Sequence, residues 1–168
     1  VGAAGFLLMD VPAEYGGGGA GMVEECIFLE ETARGLAPIH AYGTGLTAAQ
    51  TYLRHGTEVQ KKEVLSNLCS GRFEAIALSE PGAGSDLGSV RTRAVRDGDR
   101  FVVNGQKIWI TAAHLADHLL VLTRTSAEGS KHQGLTLMYL TTDTPGLDIK
   151  PIITMDGHTV KEVFFTDV

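Results

Sequence analysis

Two short segments carry the residue types that could hold a flat or anionic ligand. The first, residues 78–86, reads Leu-Ser-Glu-Pro-Gly-Ala-Gly-Ser-Asp. Gly82 and Gly84 lack a Cβ atom, so backbone N–H groups can approach a ligand closely, and consecutive amides can form an anion-binding concavity. Ser79 and Ser85 add hydroxyl groups. The segment suits a pyrophosphate or the polar edge of a ring, and a plain glycine turn is the alternative.

The second segment, residues 104–111, contains Trp109, the only tryptophan of the chain. In an alternating strand Trp109 faces opposite to Ile108 and Ile110, with Thr111 on its own side. An indole face suits stacking on a conjugated ring. On spacing alone, the other interpretation is a core tryptophan in a hairpin.

Composition limits the classes of function. The 168 residues carry a formal net charge of −6, and the sequence pI is about 5.4. This balance excludes a general nucleic-acid binder, which needs clustered cations, but not a site for one anionic cofactor. Cys26 and Cys69 form no CxxC motif, so neither a zinc site nor a disulfide framework is indicated. No apolar run approaches the ~20 residues of a membrane span.

The elements that must position the two segments change type near residue 73. Helices are predicted over residues 22–33 and 39–54, the second buried between others and capped by Gly56, and Thr57 to Gln60 form a capping box for a third helix. From residue 73 onward we predict about eight strands, with turns at Asp97-Gly98, Asn104-Gly105, Pro145-Gly146 and Asp156-Gly157. The fold class is α+β: a partial N-terminal helical bundle (1–72) followed by an antiparallel β-barrel or sandwich domain (73–168). The strands run over residues 73–79, 90–96, 101–103, 106–111, 119–124, 135–142, 147–153 and 160–166.

Three patterns imitate other sites. Gly16-x-Gly18-x-x-Gly21 resembles a dinucleotide fingerprint, but neither a buried parallel strand before it nor a βαβ unit is indicated. Gly43-x-Gly45-x-x-Ala48 lies inside a helical pattern. His114 and His118 are four residues apart, yet no carboxylate or cysteine completes a metal site, so no metal is expected.

The two segments together resemble the signature of the acyl-CoA dehydrogenase family. Glu80-Pro-Gly-Ala-Gly-Ser-Asp86 is followed at the family's spacing by Asn104-Gly-x-Lys-x-Trp-Ile-Thr111. Flanking segments extend the resemblance over almost the whole chain. They are Asp10-Val-Pro-x-Glu-Tyr-Gly-Gly17, Gly56-Thr-x-x-Gln-Lys61, Leu68-x-x-Gly71, Asp143-Thr-Pro-Gly146 and Glu162-Val-x-Phe-x-Asp167.

The resemblance implies an FAD enzyme that oxidises acyl-CoA thioesters to 2-enoyl-CoA and passes electrons to an electron-transfer flavoprotein. Leu78 and Ser79 would present backbone groups to the isoalloxazine edge, and Trp109 would pack on the ring. Ser85 would lie near the pyrophosphate and also contact the substrate. We therefore expect the glycine-serine segment and the indole to lie side by side on neighbouring strands and to frame the flat ring. The implied cofactor-binding residues are Ile76, Ala77, Leu78, Ser79, Gly84, Ser85, Trp109, Ile110 and Thr111.

The chain departs from the family pattern in two places. After Thr111 the family often has Asn-Gly, whereas this chain has Ala112-Ala113-His114, which leaves the local turn and one polar flavin contact open. No residue matches the catalytic glutamate of the family's C-terminal helical domain. Since the chain lacks an initial Met and stops after a strand-like segment, we expect a fragment without that domain, inactive by itself.

The resemblance also implies partners and a location. A homo-oligomer is expected, in a bacterial cytoplasm or, in a eukaryote, the mitochondrial matrix. Nucleic-acid binding and a membrane span are not expected. The alternatives are a flavin oxidase or monooxygenase of the same fold, and a non-catalytic binding fragment.

Overall fold

The computed structural model describes residues 5–155, 157 and 160–168, with the backbone alone at residues 40 and 41. The chain divides into two compact units, Val1–Glu74 and Ala75–Val168. The first unit is helical and the second is built on a β-sheet.

The helical unit follows the predicted elements closely. Its helices are α1 (Met22–Arg34), α2 (His40–His55), α3 (Glu58–Gln60) and α4 (Ser66–Cys69), with the π-helical turn Lys61–Leu65 joining α3 to α4. The capping box is confirmed, because the Thr57 hydroxyl accepts from the Gln60 amide and the Gln60 side chain accepts from the Thr57 amide. The core of the unit contains Leu8, Val11, Tyr15, Ala48, Ala49, Tyr52, Val64, Leu65 and Leu68.

The two long helices bury less surface than the sequence predicts. On α1 the periodic residues Val23 and Ile27 are exposed, at 68% and 56%, whereas Glu25 is fully buried and accepts a hydrogen bond from Tyr42 at 2.5 Å. Helix α2 buries only the side that carries Ala48 and Tyr52. The prediction that α2 is enclosed between other helices is therefore wrong for the described residues of this unit.

Seven strands form one curled sheet in the second unit, so the predicted α+β class is confirmed. The strands are β1 (Glu74–Ala77), β2 (Arg93–Asp97), β3 (Arg100–Thr111), β4 (His118–Arg124), β5 (Leu135–Thr141), β6 (Leu147–Pro151) and β7 (Val160–Phe165). Their order in the sheet is β1-β4-β2-β3-β7-β6, with β5 beside β4. The pairs β2–β3, β3–β7, β4–β5 and β6–β7 are antiparallel, and β2 meets β4 in a parallel contact at Arg93 and Arg124.

The hairpin turn predicted at Asn104-Gly105 is wrong. Strand β3 runs through both residues, and the tight turn lies between Asp97 and Arg100, which pair directly. Gly105 has a different function: with φ near +153°, a Cβ there would lie 2.5 Å from the Thr92 hydroxyl oxygen. Glycine is thus required at position 105 because the segment around Thr92 approaches it closely. The two strands predicted over residues 101–103 and 106–111 are a single strand, β3. The turn predicted at Asp156-Gly157 includes Asp156, which lies outside the described residues.

Candidate functional site

The glycine-serine segment and the tryptophan segment lie side by side in the β unit. The Ile108 amide donates to the Ser79 carbonyl at 2.9 Å, next to Trp109 in sequence. The Lys107 ammonium donates to the Leu78 carbonyl, also at 2.9 Å. The two motifs are adjacent as expected, but the expectation of neighbouring strands is wrong, because β4 and β2 lie between β1 and β3 in the sheet order. Strands β1 and β3 do not pair with each other in the sheet. These two hydrogen bonds are therefore direct links between the glycine-serine segment and the tryptophan segment.

A buried ion pair holds this junction together. Lys107 Nζ and Glu80 Oε1 are 2.9 Å apart, and their side chains are 0% and 7% exposed. Glu80 Oε1 also accepts from the Thr92 amide at 2.9 Å, and Oε2 accepts from the Arg91 amide at 2.7 Å. Burial raises the pKa of Glu80, but the hydrogen bonds from Lys107, Thr92 and Arg91 outweigh burial and hold the pKa below its ordinary value. These partners occupy the Glu80 carboxylate and favour its ionised form.

The glycine loop that follows Glu80 is open towards solvent. Two backbone bonds between Glu80 and Ala83 close it, at 2.9 and 3.0 Å. Gly82 and Gly84 are exposed, and a Cβ atom at either would meet no atom within 4 Å. Neither has a positive φ. Nothing within the described chain requires glycine at these positions. Among the described residues, the amides of Gly82, Gly84 and Ser85 donate no backbone hydrogen bond.

Trp109 lies on a β-bulge. Lys107 pairs with Val163 and Ile110 with Lys161, so β3 has one more residue than β7 between these pairs. Trp109 takes φ near +63° and is 57% exposed, while Lys107 and Ile110 are both buried. The exposed Trp109 and the buried Ile110 differ in exposure as their predicted opposite facing requires. A bulge and not strict alternation produces this difference, because regular pleating would put Trp109 on the buried side with Lys107. The interpretation as a core tryptophan is excluded for the described chain.

The remaining predicted site residues differ in what they can offer a ligand. Ala77 and Ile110 are buried, at 0% and 2%, so only their backbone could reach a ligand. Among the residues that the structure describes, no side-chain hydrogen bond engages Ser79, Ser85 or Thr111. Ser85 is exposed, and Ile76, Leu78, Ser79 and Thr111 are half-buried.

The turn after Thr111 shows what replaces the family's Asn-Gly. Ala112 adopts a left-handed conformation, with φ near +52°, and begins the 3₁₀ turn Ala113–Leu115. Asparagine and glycine adopt this conformation at lower cost than alanine. In this chain a left-handed alanine therefore makes the turn after Thr111, without a polar side chain at position 112.

The glycine-rich and histidine patterns that imitate a dinucleotide site and a metal site do not form such sites among the described residues. In the loop at Gly16–Gly21 the amides of Gly16, Gly17, Gly19 and Ala20 donate to the chain's own carbonyls. His118 stacks on Tyr139, with ring centroids 4.6 Å apart. No group of three potential metal ligands occurs in the described part of the chain. Across those same residues, none of the helices has the length and apolar character needed to cross a bilayer.

The sequence reasoning missed Lys107, Arg91 and Thr92 as members of the site. Lys107 stands four residues after the buried Val103, on the same side of a regular strand. A lysine at an inward position requires a partner, and this signal could have identified the ion pair. Its partner, Glu80, lies 27 residues away, so spacing alone does not reveal the pair.

The donor set fits a flavin dinucleotide. The loop offers bare amides and two serine hydroxyls, which are the groups that bind phosphate oxygens and flavin ring acceptors. Beside it stands an exposed indole with the surface to cover a flat ring. This combination supplies the hydrogen-bond donors and the flat apolar surface that a flavin dinucleotide requires.

Comparison with known proteins identifies the family. The model of the acyl-CoA dehydrogenase middle domain matches residues 75–168, and that of the N-terminal domain matches residues 1–72. The chain therefore belongs to the acyl-CoA dehydrogenase family.

Individual relatives agree. Acyl-CoA dehydrogenase FadE29 of Mycobacterium tuberculosis is 42% identical over 94% of this chain and 41% of its own length. The solved structure of the Tcur3481-Tcur3483 steroid acyl-CoA dehydrogenase superposes with a TM-score of 0.91 at 38% identity, over 99% of this chain and 44% of that one. The solved structure of the prolyl acyl carrier protein oxidase AnaB superposes with a TM-score of 0.86 at 30% identity, over 99% of this chain and 46% of that one. The chain spans less than half the length of these relatives.

Proposed function

We propose that this chain supplies the flavin-contacting part of an FAD-dependent acyl-CoA dehydrogenase, which converts an acyl-CoA thioester to a 2-enoyl-CoA. The observation that carries the proposal is the open glycine loop beside the exposed Trp109, joined through Lys107 and Ile108. FAD, when bound, accepts the hydride from the substrate. The residues of this chain bind and orient it.

Each part of the site has a separate role in the proposal. The Leu78 and Ser79 carbonyls already accept from Lys107 and Ile108, so the amides of this segment are the groups left for the acceptor atoms of the flavin ring. The loop at Gly84 and Ser85 binds the pyrophosphate, and Ser85 also contacts the acyl-CoA. Trp109 covers the ring and excludes water from one side. Ile76, Ala77, Ile110 and Thr111 shape the floor and edge.

The open loop gives the first test. Gly82→Ala and Gly84→Ala are expected to raise the FAD dissociation constant roughly tenfold, or about 1.4 kcal/mol, because a methyl group would separate the amides from the ligand. The free energy of unfolding without FAD should change by no more than about 0.5 kcal/mol, since neither Cβ meets another atom. FAD titration of the whole protein, followed by flavin fluorescence, measures the first quantity.

Gly43→Ala is the matched control. Gly43 is also open and lies in α2, so alanine should raise helix stability by about 1 kcal/mol and leave FAD affinity unchanged. Unchanged FAD affinity in both loop variants would contradict the assignment of the loop.

The indole gives the second test. Trp109→Ala is expected to weaken FAD binding by roughly 1–3 kcal/mol, the usual cost of losing an aromatic stacking partner. Phe101→Ala is the control, since Phe101 is another exposed aromatic residue of β3, 44% exposed. Equal affinities for wild type and Trp109→Ala would exclude stacking.

Membership of the family supports further proposals about partners, oligomeric state and location. Electrons pass to an electron-transfer flavoprotein, the base that removes the α proton comes from outside this chain, and the working enzyme is a homo-oligomer in the bacterial cytoplasm or the mitochondrial matrix. Exposed apolar side chains of α1, such as Val23 and Ile27, are compatible with further helices packing on them.

A flavin oxidase of the same fold is the second candidate, and the similarity to AnaB favours it. Anaerobic reduction by an acyl-CoA, followed by mixing with oxygen, separates the two. A dehydrogenase keeps its reduced flavin for long periods in air-saturated buffer, whereas an oxidase reoxidises it within the time of one turnover.

A further inference from the structure

Lys107 lies behind the proposed flavin site without facing it. Its ammonium is fully buried and donates to the Leu78 carbonyl and the Glu80 carboxylate, both at 2.9 Å. A charged donor makes a hydrogen bond roughly twice as strong as a neutral one, and low dielectric strengthens it further. The Leu78 carbonyl is therefore strongly polarised.

That carbonyl shares its peptide unit with the Ser79 amide. In a planar trans peptide the C=O and N–H bonds point in opposite directions, so the Ser79 N–H points away from Lys107. Electron density drawn to the Leu78 oxygen leaves this N–H a stronger donor, because hydrogen bonds in series polarise one another. The peptide unit thus connects the buried ammonium to the outer side of the segment.

The same unit is fixed in place. The Ser79 carbonyl accepts from the Ile108 amide at 2.9 Å, and the Glu80 amide donates to the Ala83 carbonyl at the same distance. Glu80 in turn is held by the Arg91 and Thr92 amides. The Ser79 N–H bond therefore has a fixed orientation before any ligand binds. A fixed orientation of the donor is the condition for electrostatic preorganisation.

We propose that Lys107 is a positioning residue that acts through the Leu78–Ser79 peptide to stabilise reduced flavin relative to oxidised flavin. The inference rests on the proposed function, since it requires the Ser79 amide to donate to the flavin ring. Reduction adds negative charge to the acceptor atoms of that ring, so a strengthened donor favours the reduced form. The negative charge of Glu80 balances the positive charge of Lys107. Lys107 therefore acts on the flavin through polarisation of the Leu78–Ser79 peptide, and not through its net charge.

The decisive variant removes the ammonium without leaving a buried charge alone. Lys107→Met combined with Glu80→Gln replaces the pair by neutral side chains of similar size, a change that folded proteins often tolerate. In the whole protein, we expect FAD to remain bound and the affinity for reduced flavin relative to oxidised flavin to fall at least tenfold. That ratio corresponds to about 30 mV for a two-electron couple. An anaerobic reductive titration against a reference dye measures it.

Lys150→Met combined with Asp148→Asn is the matched control, because it neutralises an exposed pair at 3.1 Å. Its midpoint potential should equal that of the wild type. Should the first variant fail to fold, Lys107→Gln with Glu80→Gln keeps a neutral donor at position 107, and a smaller fall is expected.

The outcomes separate this inference from the proposed function. Wild type that binds no FAD overturns the proposed function. Wild-type and variant proteins that both bind FAD with the same midpoint potential overturn the role of Lys107 and leave the proposed function standing. A change in thermal stability with no change in potential would show that the ion pair only holds the fold.

Discussion

Glu80→Ala is expected to lower the free energy of unfolding by about 3–5 kcal/mol, because it leaves a buried ammonium without its carboxylate. Lys107 is 0% exposed and would keep only the Leu78 carbonyl. The Arg91 and Thr92 amides would lose their acceptor at the same time. Urea denaturation followed by far-ultraviolet circular dichroism measures the loss.

Asp97→Ala is the control for Glu80→Ala. Asp97 pairs with Arg100 at 3.3 Å, but both side chains are well exposed, at 63% and 75%. Solvent screens such a pair, so the variant should change the free energy of unfolding by no more than about 0.5 kcal/mol. A loss below about 1 kcal/mol for Glu80→Ala would mean that the ion pair does not hold the junction.

The contribution of Glu80 to the free energy of unfolding should also depend on pH. Its pKa in the folded chain lies below the ordinary value, so between the two pKa values the unfolded state binds more protons than the folded state. The stabilisation is complete above the unfolded pKa of about 4.3 and is lost as the pH falls through the folded pKa. The difference between wild type and Glu80→Ala should be constant above about pH 5.5 and shrink below pH 4.3.

Gly105→Ala is expected to destabilise the chain by about 3 kcal/mol or more, through overpacking and backbone strain together. The added Cβ would lie 2.5 Å from the Thr92 hydroxyl oxygen and 2.6 Å from the Thr92 Cα, and Gly105 has φ near +153°. Thr92 is 1% exposed and donates its amide to Glu80, so it cannot move away without disturbing the ion pair. Urea denaturation followed by far-ultraviolet circular dichroism also measures this loss of stability.

Gly98→Ala separates the two causes. Gly98 also has a positive φ, near +66°, but its Cβ would meet no atom within 4 Å. Only the left-handed strain of about 1–2 kcal/mol remains. Equal losses in the two variants would show that close approach to Thr92 contributes nothing.

These variants converge on one structural unit of the β-sheet. Glu80, Thr92, Gly105 and Lys107 come from three segments of the chain and meet behind the glycine loop. Their interactions stabilise the fold, whereas Gly82, Gly84 and Trp109 contribute little to it in the described chain. The division allows the fold and the proposed cofactor site to be altered separately.

The sequence by itself determined the features that depend on neighbouring residues. The capping box at Thr57 and Gln60 formed as predicted because donor and acceptor lie within one helical turn. Helix α1 begins at the predicted residue, Met22, and strand β4 differs from its predicted range by one residue. The two signature motifs were recognisable because their residue types and spacing are specific, and their adjacency was expected from the family resemblance.

Only the tertiary structure decided what distant segments do to one another. Asn104-Gly105 has the composition of a tight turn, yet the approach of Thr92 and the pairing with Phe165 keep it extended. The bulge that exposes Trp109 arises from its register against β7, more than 50 residues later. A local pattern contains no information about either partner. The pairing of Glu80 with Lys107 likewise depends on burial, which removes the solvent that would otherwise make each charge independent.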